Sequence, residues 1–593
     1  MQRLNNKSKN KDHNSKGNKF MKTCYVCKYT PLELLAAYGK ETQNLDQMSG
    51  SFENADKISH PNLCGFGRSV IEAVLKGEVK ELILVNCCDT IKAVYDILKE
   101  TGKLDFLYML DILRSDDCCS IERTALELEK LSRAYGEYRH ASFDFSLFKR
   151  AFHAEKKTYS PHIAVIGARM GNELFEMAKK TMPLPVTNET CVNNRSISSE
   201  GMPETQDFHS LMLWYAKALL GQLPCMRMTD NSGRRTLYED PSLKGIIYHT
   251  VKFCDFYSFE YAELKSRTEV PLLKIESDYT LQGPGQLKTR LEAFAETLAP
   301  EAEKYKDASG SGKTAEVKNS FEEKNILPEE KIQVMDKAFF AGIDSGSAST
   351  DVVILNEKKE IAGSCILPTG AGASSGAQRA LEEALKDAGL KKENLRAVVT
   401  TGYGRSSIDD KNKAITEISC HAKGAVFLDP SVRTVIDIGG QDSKVIVMDE
   451  KGKITNFAMN DKCAAGTGRF LEMMAKTLEM SLEDMSRAGL SWKEDLTISN
   501  MCTVFAESEV VSLIAQNKNT SDIIHGLNKA VASKTAALYS RCGGKAPVMM
   551  TGGVARNDSL TKTLEEYLNT KLIISDKAQL CGALGAALFA MEI

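Results

Sequence analysis

This sequence lacks a large excess of charge of either sign, and it lacks a long hydrophobic run. Its 593 residues include 76 lysines and arginines against 79 aspartates and glutamates, which gives a formal net charge of −3. A nearly neutral chain does not favour the phosphate backbone of nucleic acids or an anionic membrane surface. No apolar run reaches the roughly 20 residues that a membrane-spanning helix needs. The composition therefore argues against nucleic-acid and membrane partners.

The first twenty residues also lack the apolar core of a secretory signal. They read MQRLNNKSKNKDHNSKGNKF, a polar stretch rich in lysine and asparagine. Such a composition cannot bury enough apolar surface to order itself, so we expect residues 1–20 to form a disordered tail. Without a signal segment, the expected location of the protein is the cytoplasm.

Cysteine, by contrast, is abundant, with sixteen residues spread over the whole chain. No C-x₂-C-x₂-C run is present, and the cysteines do not form one short disulfide framework. In a reducing compartment, such a number favours metal binding or redox chemistry over disulfide bridges. The alternative for many of them is a small buried apolar side chain. We interpret Cys365, Cys542 and Cys581 in this structural way, and Cys420 as either a core thiol or part of a polar turn.

A charged, serine- and glycine-containing stretch at 299–336 divides the chain and is interpreted as a linker. Its SGSGKT sequence is not a P-loop, because Asp307 stands where the first glycine belongs and no strand precedes it. Residues 21–298 are predicted to form an α/β domain with subdomains of about 21–158 and 159–298. Residues 337–593 are predicted to form a separate domain.

Within 21–298, apolar strands repeatedly end in polar or cysteine-bearing turns. ELILVNCCD at 81–89 and HIAVIGARMG at 162–171 are examples. Open parallel sheets place their sites at the carboxyl ends of the strands. We therefore expect these turns to converge on a cleft.

Residues 337–593 contain an internal repeat. Each half opens with a strand, an aspartate-glycine turn and a second strand, at GIDSGSAST (342–350) and at DIGGQDSK (437–444). Such a repeat indicates a duplicated domain with a cleft between its halves. Small residues let backbone N–H groups approach phosphate oxygens, and Asp344 and Asp437 could hold Mg²⁺ through water. A third glycine turn, TGGVARN at 551–557, could lie against adenine or ribose.

These three stretches resemble the two phosphate loops and the adenosine loop of the actin, Hsp70 and sugar-kinase ATPase superfamily. The resemblance implies a duplicated actin/Hsp70-like (RNase H-like) α/β domain that binds ATP or ADP with Mg²⁺. The residues expected to bind the nucleotide are Gly346, Ser347, Ser349, Thr350, Gly439, Gly440, Gly466, Gly468, Gly552, Gly553 and Asn557.

Two cysteines of this domain have no role in a kinase. Cys463 lies three residues before a Gly-Thr-Gly turn, and Cys502 precedes another run with helical spacing. A cubane takes four thiolates, and two copies of the chain about a two-fold axis would supply them. A [4Fe-4S] cluster shared by a homodimer is therefore the favoured interpretation; the alternative is a buried or nucleophilic cysteine.

Residues 338–593 resemble the activators of 2-hydroxyacyl-CoA dehydratases, which are related to the ATPase subunits of benzoyl-CoA reductase. DKCAAGTGRFLE and CTVFAESEV match that family's cluster cysteines. The resemblance implies ATP-driven delivery of one low-potential electron to an iron–sulfur partner, with ferredoxin or flavodoxin as the donor. It also implies that Asp437 and Gln441 position metal and water, with Asp344 as the third catalytic residue.

Residues 21–298 resemble a shortened subunit of the 2-hydroxyacyl-CoA dehydratases and benzoyl-CoA reductases. The resemblance implies that Cys64, Cys88 and Cys254 hold a second iron–sulfur cluster, with Cys27 as a possible fourth or substitute ligand. Cys87, Cys118 and Cys119 are expected to be structural or surface thiols, and Cys191 and Cys225 are left unassigned.

Together these features predict a fused redox protein in which an ATP-dependent electron donor reduces its own N-terminal domain or a separate dehydratase. Two alternatives remain at this point. One is a sugar or metabolite kinase with an inert N-terminal domain. The other is an activator whose N-terminal half only docks a separate dehydratase.

Overall fold

The computed structural model describes residues 22–60, 62–152, 161–205, 207–280, 284–308, 339–370, 372–460, 464–498 and 502–593. It divides into two compact units, Met1–Pro284 and Gly285–Ile593. In the part of the chain that is described, no helix is long and apolar enough to cross a membrane.

The first unit begins with a four-stranded parallel sheet in the order β2-β1-β3-β4. The central strand β3 is buried throughout because its ELILV sequence is almost entirely apolar. The strands are β1 (Thr23–Tyr25), β2 (Thr42–Asn44), β3 (Glu81–Val85) and β4 (Phe106–Leu110). The helices are α1 (Leu32–Ala36), α2 (Gly65–Leu75), α3 (Asp89–Thr101), α4 (Cys118–Arg139) and α5 (Phe145–Arg150).

The second half of this unit repeats the arrangement, with a parallel sheet in the order β6-β5-β7-β8. Its strands are β5 (His162–Gly167), β6 (Val186–Thr190), β7 (Leu243–Val251) and β8 (Leu272–Ser277). Its helices are α6 (Asn172–Thr181), α7 (Phe208–Leu220) and α8 (Asp255–Arg267). Two parallel α/β subdomains therefore make up the unit.

A buried ion pair joins these two subdomains. Asp46 Oδ1 of the first lies 3.0 Å from Arg169 Nη1 of the second, and both side chains are almost fully buried. Arg169 also donates to Leu45 O at 2.9 Å, and its guanidinium lies 3.6 Å from the ring centre of Phe66. Tyr279 OH donates to Asp46 Oδ1 at 3.2 Å. This network lies just beyond β2 and β5 and holds the carboxyl ends of the two sheets near each other.

The second unit contains two five-stranded sheets of the same topology, β11-β10-β9-β12-β13 and β16-β15-β14-β17-β18. The strands of the first are β9 (Phe339–Ser345), β10 (Ser349–Asn356), β11 (Ile361–Pro368), β12 (Leu395–Thr401) and β13 (Lys413–Ala414). Those of the second are β14 (Thr434–Ile438), β15 (Ser443–Met448), β16 (Ile454–Asn460), β17 (Val548–Thr551) and β18 (Leu572–Ile574).

Nine helices in the described residues accompany these sheets. They are α9 (Pro284–Ala308), α10 (Ala373–Asp387), α11 (Glu417–Leu428), α12 (Gly468–Thr477), α13 (Leu482–Ala488), α14 (Thr503–Ala515), α15 (Thr520–Cys542), α16 (Asp558–Leu568) and α17 (Cys581–Ala590). In each half the first three strands are antiparallel neighbours, and the fourth and fifth join in parallel. The predicted α/β class and the duplicated domain are confirmed.

Helix α9 packs in the second unit, although the sequence boundary of 298 placed its first half in the first domain. Glu296 accepts hydrogen bonds from Thr416 N at 3.0 Å, from Thr416 Oγ1 at 2.5 Å and from Ser419 Oγ. Glu292 pairs with Arg405, and Arg290 Nη2 donates to Met459 O at 3.2 Å. The helix is thereby attached to the N-terminus of α11 and to the loop after β12.

Replacing Glu296 by alanine should destabilise the second unit by about 1–2 kcal/mol, because Thr416 is the N-cap of α11 and its backbone and hydroxyl donors would lose their acceptor. Denaturant unfolding followed by circular dichroism would measure the loss. Glu357→Ala, at an exposed position, is the matched control. Equal stability of the two variants would show that α9 is not held through Glu296.

Candidate functional site

A cavity of about 1030 Å³ lies between the two halves of the second unit. Both hairpin turns contribute to its wall, as does the glycine turn after β17. The predicted residues that line it are Asp344, Gly346, Ser347, Ser349, Asp437, Gly439, Gly440, Gln441, Gly468, Gly552, Gly553 and Asn557.

The two hairpin turns have the same local geometry. Gly346 N donates to Ser349 O at 2.9 Å, and Gly439 N donates to Asp442 O at the same distance. A Cβ on Gly440 would lie only 2.9 Å from the Cβ of Ala348 in the opposite turn. The two turns therefore approach closely enough to enclose a phosphate chain with backbone groups.

Two predicted residues do not line this cleft. Thr350 is fully buried, and its Oγ1 lies 3.0 Å from Thr369 Oγ1. Gly466 has a backbone φ of 104°, a conformation that favours glycine, so this residue is needed for the turn before α12. Asn557 does line the cleft, but its Oδ1 accepts from Leu560 N at 3.0 Å and thereby caps α16.

His421, on α11, lies between the two aspartates that were predicted to face each other. Its Nε2 is 3.7 Å from Asp344 Oδ2, and its Nδ1 is 3.7 Å from Asp437 Oδ1. Burial alone would lower the pKa of His421, but Asp437 and Asp344 together raise it well above its usual value. An imidazolium therefore links the two halves of the domain at the bottom of the cleft.

Lys444 is the second buried cation of the cleft. Its Nζ lies 2.8 Å from Asp442 Oδ1, 3.2 Å from Asp437 Oδ2 and 3.7 Å from Glu417 Oε1. Burial raises the pKa of the Asp437 carboxyl, but His421 and Lys444 lower it more, so it lies below its usual value. Asp437 is therefore ionised and is held by Thr551 Oγ1, which donates to its Oδ1 at 3.1 Å.

The pKa of Asp351, in contrast to that of Asp437, lies above its usual value. Burial and the neighbouring Asp344 raise the pKa of Asp351 to about 8. Several carboxylates thus share a small volume with two cations. Oxygen ligands of this kind suit Mg²⁺, and Asp344 and Asp437 are the residues that could hold it, as the sequence predicted. Asp437 already contacts His421 and Lys444, so its part in holding the ion stays a prediction.

Helix α12 begins against the second phosphate loop. Gly468 N donates to Gly439 O at 2.8 Å, and Arg469 N donates to Gly440 O at 2.9 Å. The helix then packs against α14, where Thr477 Oγ1 donates to Glu507 Oε1 at 3.3 Å. The loop is therefore connected through α12 to the helix that follows Cys502.

Cys502 is the half-buried N-cap of α14, whereas Cys463 lies outside the described residues. The first turn of α14 is apolar and open to solvent, since Val504 and Phe505 are each 64% exposed. Val511 and Ile514 extend the exposed apolar face along the helix. We refer to these four residues as the α14 patch.

In the first unit, seven cysteines surround one small cavity of about 60 Å³. The three predicted cluster ligands all lie in its wall, and each is the N-cap of a helix: Cys64 of α2, Cys88 of α3 and Cys254 of α8. Gly67 N donates to Cys64 Sγ at 3.5 Å. The remaining thiols of the wall are Cys27, Cys87, Cys191 and Cys225.

The three N-cap cysteines face one cavity, and a helix N-terminus favours a thiolate. Burial nevertheless raises the pKa of Cys64, and that of Cys254 to about 11, while a hydrogen bond with Cys87 and burial raise the pKa of Cys88. A hydrogen bond with Cys87 holds the pKa of Cys27 below its usual value. Among the described residues, no three cysteine, histidine or acidic side chains converge at the spacing of a single metal ion. Thiolates of a four-iron cluster each bind a different iron and need not converge, so the donor set fits a cluster.

The other cysteines have simpler surroundings. Cys118 and Cys119 are exposed at the start of α4, and Cys365 is half-buried in β11. Cys420, Cys542 and Cys581 are buried in the second unit. Cys87, which the sequence suggested as a structural or surface thiol, lies in the cavity wall instead.

Sequence reasoning missed several residues of both sites. It gave His421 and Lys444 no role in the chemistry, although each contacts Asp437. It also missed Gln286 and Thr289 of α9, which line the nucleotide cleft, and Lys28 and Arg227, which line the thiol cavity. The sequence offered a signal for Lys444, which stands two positions after Asp442 in DSK at 442–444.

Comparisons with known proteins agree with this division of the chain. Residues 341–590 match the model of the BadF/BadG/BcrA/BcrD ATPase family. The activator of lactoyl-CoA dehydratase from Anaerotignum propionicum is 50% identical over 251 residues, which are 42% of this chain and 96% of that protein. The chain belongs to the BadF/BadG/BcrA/BcrD ATPase family. Residues 27–160 and 146–298 of this family member match the model of the 2-hydroxyglutaryl-CoA dehydratase D-component.

Two further relatives of this ATPase family member cover the same region. The (R)-2-hydroxyglutaryl-CoA dehydratase activating ATPase from Acidaminococcus fermentans is 48% identical over 252 residues, 42% of this chain and 96% of that protein. The solved structure of the activator of the 2-hydroxyisocaproyl-CoA dehydratase from Clostridium difficile, with bound ADPNP, is 43% identical. It covers 43% of this chain and 94% of its own, with a TM-score of 0.42.

Gly582 of α17 should be essential to this ATPase cleft, because a Cβ there would lie 2.1 Å from Asp344 Oδ2 and 2.8 Å from His421 Nε2. Gly582→Ala would displace both side chains. We expect ATP hydrolysis to fall by roughly tenfold or more, since small displacements at a reacting centre are costly. Gly50→Ala is the control, because a Cβ at Gly50 meets nothing within 4 Å. A fully active Gly582→Ala variant would contradict the assignment of Asp344.

Proposed function

We propose that the protein is an ATP-dependent one-electron donor, an activase of the 2-hydroxyacyl-CoA dehydratase type. In this proposal the second unit hydrolyses ATP and drives an electron to an iron–sulfur acceptor, which includes its own N-terminal domain. The observation that carries the proposal is the pair of hydrogen bonds between the second phosphate loop and the first turn of α12.

ATP and Mg²⁺ occupy the cleft between the two halves in this scheme. Asp344 and Asp437 hold the ion through oxygen ligands, and Gln441, next to Gly440 in the second loop, orients the attacking water. Lys444 and His421 keep Asp437 ionised. The named relatives that are dehydratase activators and an activating ATPase support ATP hydrolysis as the energy source.

Hydrolysis changes what the second phosphate loop binds, and the carbonyls of Gly439 and Gly440 transmit the change. Because they accept from the first two amides of α12, a shift of the loop displaces that helix. Helix α12 packs against α14, whose N-cap is Cys502. The nucleotide state is thereby coupled to the position of a thiol.

Cys463 and Cys502 of two protomers would together supply the four thiolates of one [4Fe-4S] cluster, which stores and releases a single electron. Cys502 suits this role because it is the N-cap of α14, and the positive end of a helix dipole favours an anionic cluster nearby. The α14 patch next to it supports a homodimer, since a second copy would cover these exposed apolar side chains.

The electron acceptor in this proposal is the first unit, where Cys64, Cys88 and Cys254 would hold a second cluster. The match of this region to the dehydratase D-component supports it. Seven thiols in one wall are more than a single cubane needs. Fusion of donor and acceptor in one chain keeps them at a high effective concentration. Ferredoxin or flavodoxin is the proposed source of the electron, and a separate dehydratase is a second possible acceptor.

Cys502→Ser should remove the iron of the shared site and weaken the dimer, because each cluster would lose two of its four ligands. Iron and sulfide analysis of anaerobically purified protein would measure the first effect, and light scattering coupled to gel filtration the second. Cys365→Ser, in β11 of the same unit, is the control thiol.

Retention of full iron content and dimerisation by Cys502→Ser would rule out the shared cluster. An iron-free wild-type protein that phosphorylates a sugar would instead establish the metabolite kinase.

The acceptor is tested by replacing Cys64, Cys88 and Cys254 together with alanine. We expect the iron content to fall to the share of the dimer cluster, with ATP hydrolysis retained, because the thiols lie in the first unit. Cys118→Ala with Cys119→Ala, at exposed positions, is the control. If the triple variant keeps all its iron, the first unit does not hold a cluster through these cysteines and serves for docking.

A further inference from the structure

The thiol cavity of the first unit contains more positive charge than its own carboxylates can balance. Three cations, Lys28, Arg169 and Arg227, lie in its wall, and among the described residues no aspartate or glutamate lines it. The charge of Arg169 is balanced by Asp46, whose Oδ1 lies 3.0 Å from Arg169 Nη1. Lys28 and Arg227 have no carboxylate partner in the described part of the chain.

Lys28 is completely buried directly after Cys27. Its Nζ donates to Asn194 Oδ1 at 2.9 Å and to Leu223 O, which are neutral acceptors. These bonds hold the ammonium in place without neutralising it, and burial lowers the pKa of Lys28 to about 8. A buried cation without an opposite charge is expensive, so an anion in the cavity would stabilise it.

Arg227 is the more unusual of the two. Its Nε is buried and has no hydrogen-bond partner among the described residues. Its guanidinium carbon lies 5.2 Å from the ring centre of Phe256, which orients the group without satisfying it. The side chain lines the same wall as Cys87 and Cys88. An arginine with an unused donor in a wall of thiols is arranged to meet negative charge.

We propose that Arg227, assisted by Lys28, is the counter-charge of an anionic, thiolate-bound cluster in this cavity and sets the potential at which that cluster accepts an electron. The inference depends on the proposed acceptor role of the first unit. Arg227 is a positioning and tuning residue here, because it acts on the charge of the bound group and is not one of its ligands.

The direction of the effect follows from electrostatics. One-electron reduction adds a negative charge to a group that thiolates already make negative. A fixed cation a few ångströms away in a buried site favours the reduced form, because the low local dielectric strengthens the attraction. Loss of the cation should therefore make the cluster harder to reduce, while substitution by another cation should preserve most of the effect.

The experiment uses the full-length chain with Cys502→Ser, so that iron in the protein belongs to the first unit. Arg227→Gln and Arg227→Lys are compared with the parent after anaerobic reconstitution with iron and sulfide. Iron content is measured first, and the midpoint potential then by EPR-monitored redox titration. For Arg227→Gln we expect the ratio of reduced to oxidised cluster at a given potential to fall at least tenfold, which is about 59 mV for a one-electron couple.

Arg235→Gln is the matched control, because Arg235 is about half exposed and pairs with Glu263 at 3.7 Å outside the cavity. Its potential should equal that of the parent. An iron-loaded Arg227→Gln variant with an unchanged potential, or an equal shift in Arg235→Gln, would overturn the proposal. Arg227→Lys should shift the potential less than Arg227→Gln does, because lysine keeps the positive charge.

Arg227→Gln could also fail to bind iron, and the lysine variant then decides the outcome. Iron binding by Arg227→Lys with a native circular dichroism spectrum would support a requirement for charge. Equal loss of iron in both variants would show that the shape of arginine is needed for assembly and would overturn the charge role. An iron-free parent protein would overturn the acceptor function itself, and the role of Arg227 with it.

Discussion

The contact between the second phosphate loop and the first turn of α12 is the constraint on which the proposed mechanism depends. A helix N-terminus normally leaves its first amides free for an anion. Here the amides of Gly468 and Arg469 are bonded to the carbonyls of Gly439 and Gly440, so the loop cannot move without the helix. This connection joins the second phosphate loop to the helix that packs against α14. It gives the ATPase a rigid element that leads away from the nucleotide.

Ion pairs between buried side chains hold the centre of the cleft together. His421 and Lys444 place two cations among Asp344, Asp437, Asp442 and Glu417, and each of these cations has its pKa raised by the carboxylates. Helix α17 can lie against this centre only because Gly582 has no side chain. The packing of α17 and the electrostatics of the cleft therefore depend on each other. Helix α9 also stabilises this region, because Glu296 accepts a hydrogen bond from Thr416, the N-cap of the helix that carries His421.

In both units, cysteines occupy the N-cap positions of helices. Cys64, Cys88 and Cys254 in the first unit and Cys502 in the second all occupy this position. A helix N-terminus lowers the cost of a thiolate, although burial outweighs this effect at Cys64 and Cys254 and raises their pKa values. In the thiol cavity this stabilisation is combined with Lys28 and Arg227, which lack carboxylate partners among the described residues. The first unit is thus electrostatically suited to a negatively charged occupant.

The sequence by itself determined the local features of this protein. Glycine turns such as Gly439–Gly440 and strands such as β3 are specified by residues adjacent in the chain, so the α/β class and the duplication were predictable. Cys64, Cys88 and Cys254 were named from the resemblance to the dehydratase subunits, and the structure shows that each is the N-cap of a helix. Only the tertiary structure decided which side chains from distant segments meet. His421 and Asp344 are 77 positions apart in the sequence, yet they lie 3.7 Å from each other. Thr350 lies in a motif but is turned into the core, and Arg227 carries no local signal. Burial and charge pairing are properties of assembled elements, and no single stretch of sequence encodes them.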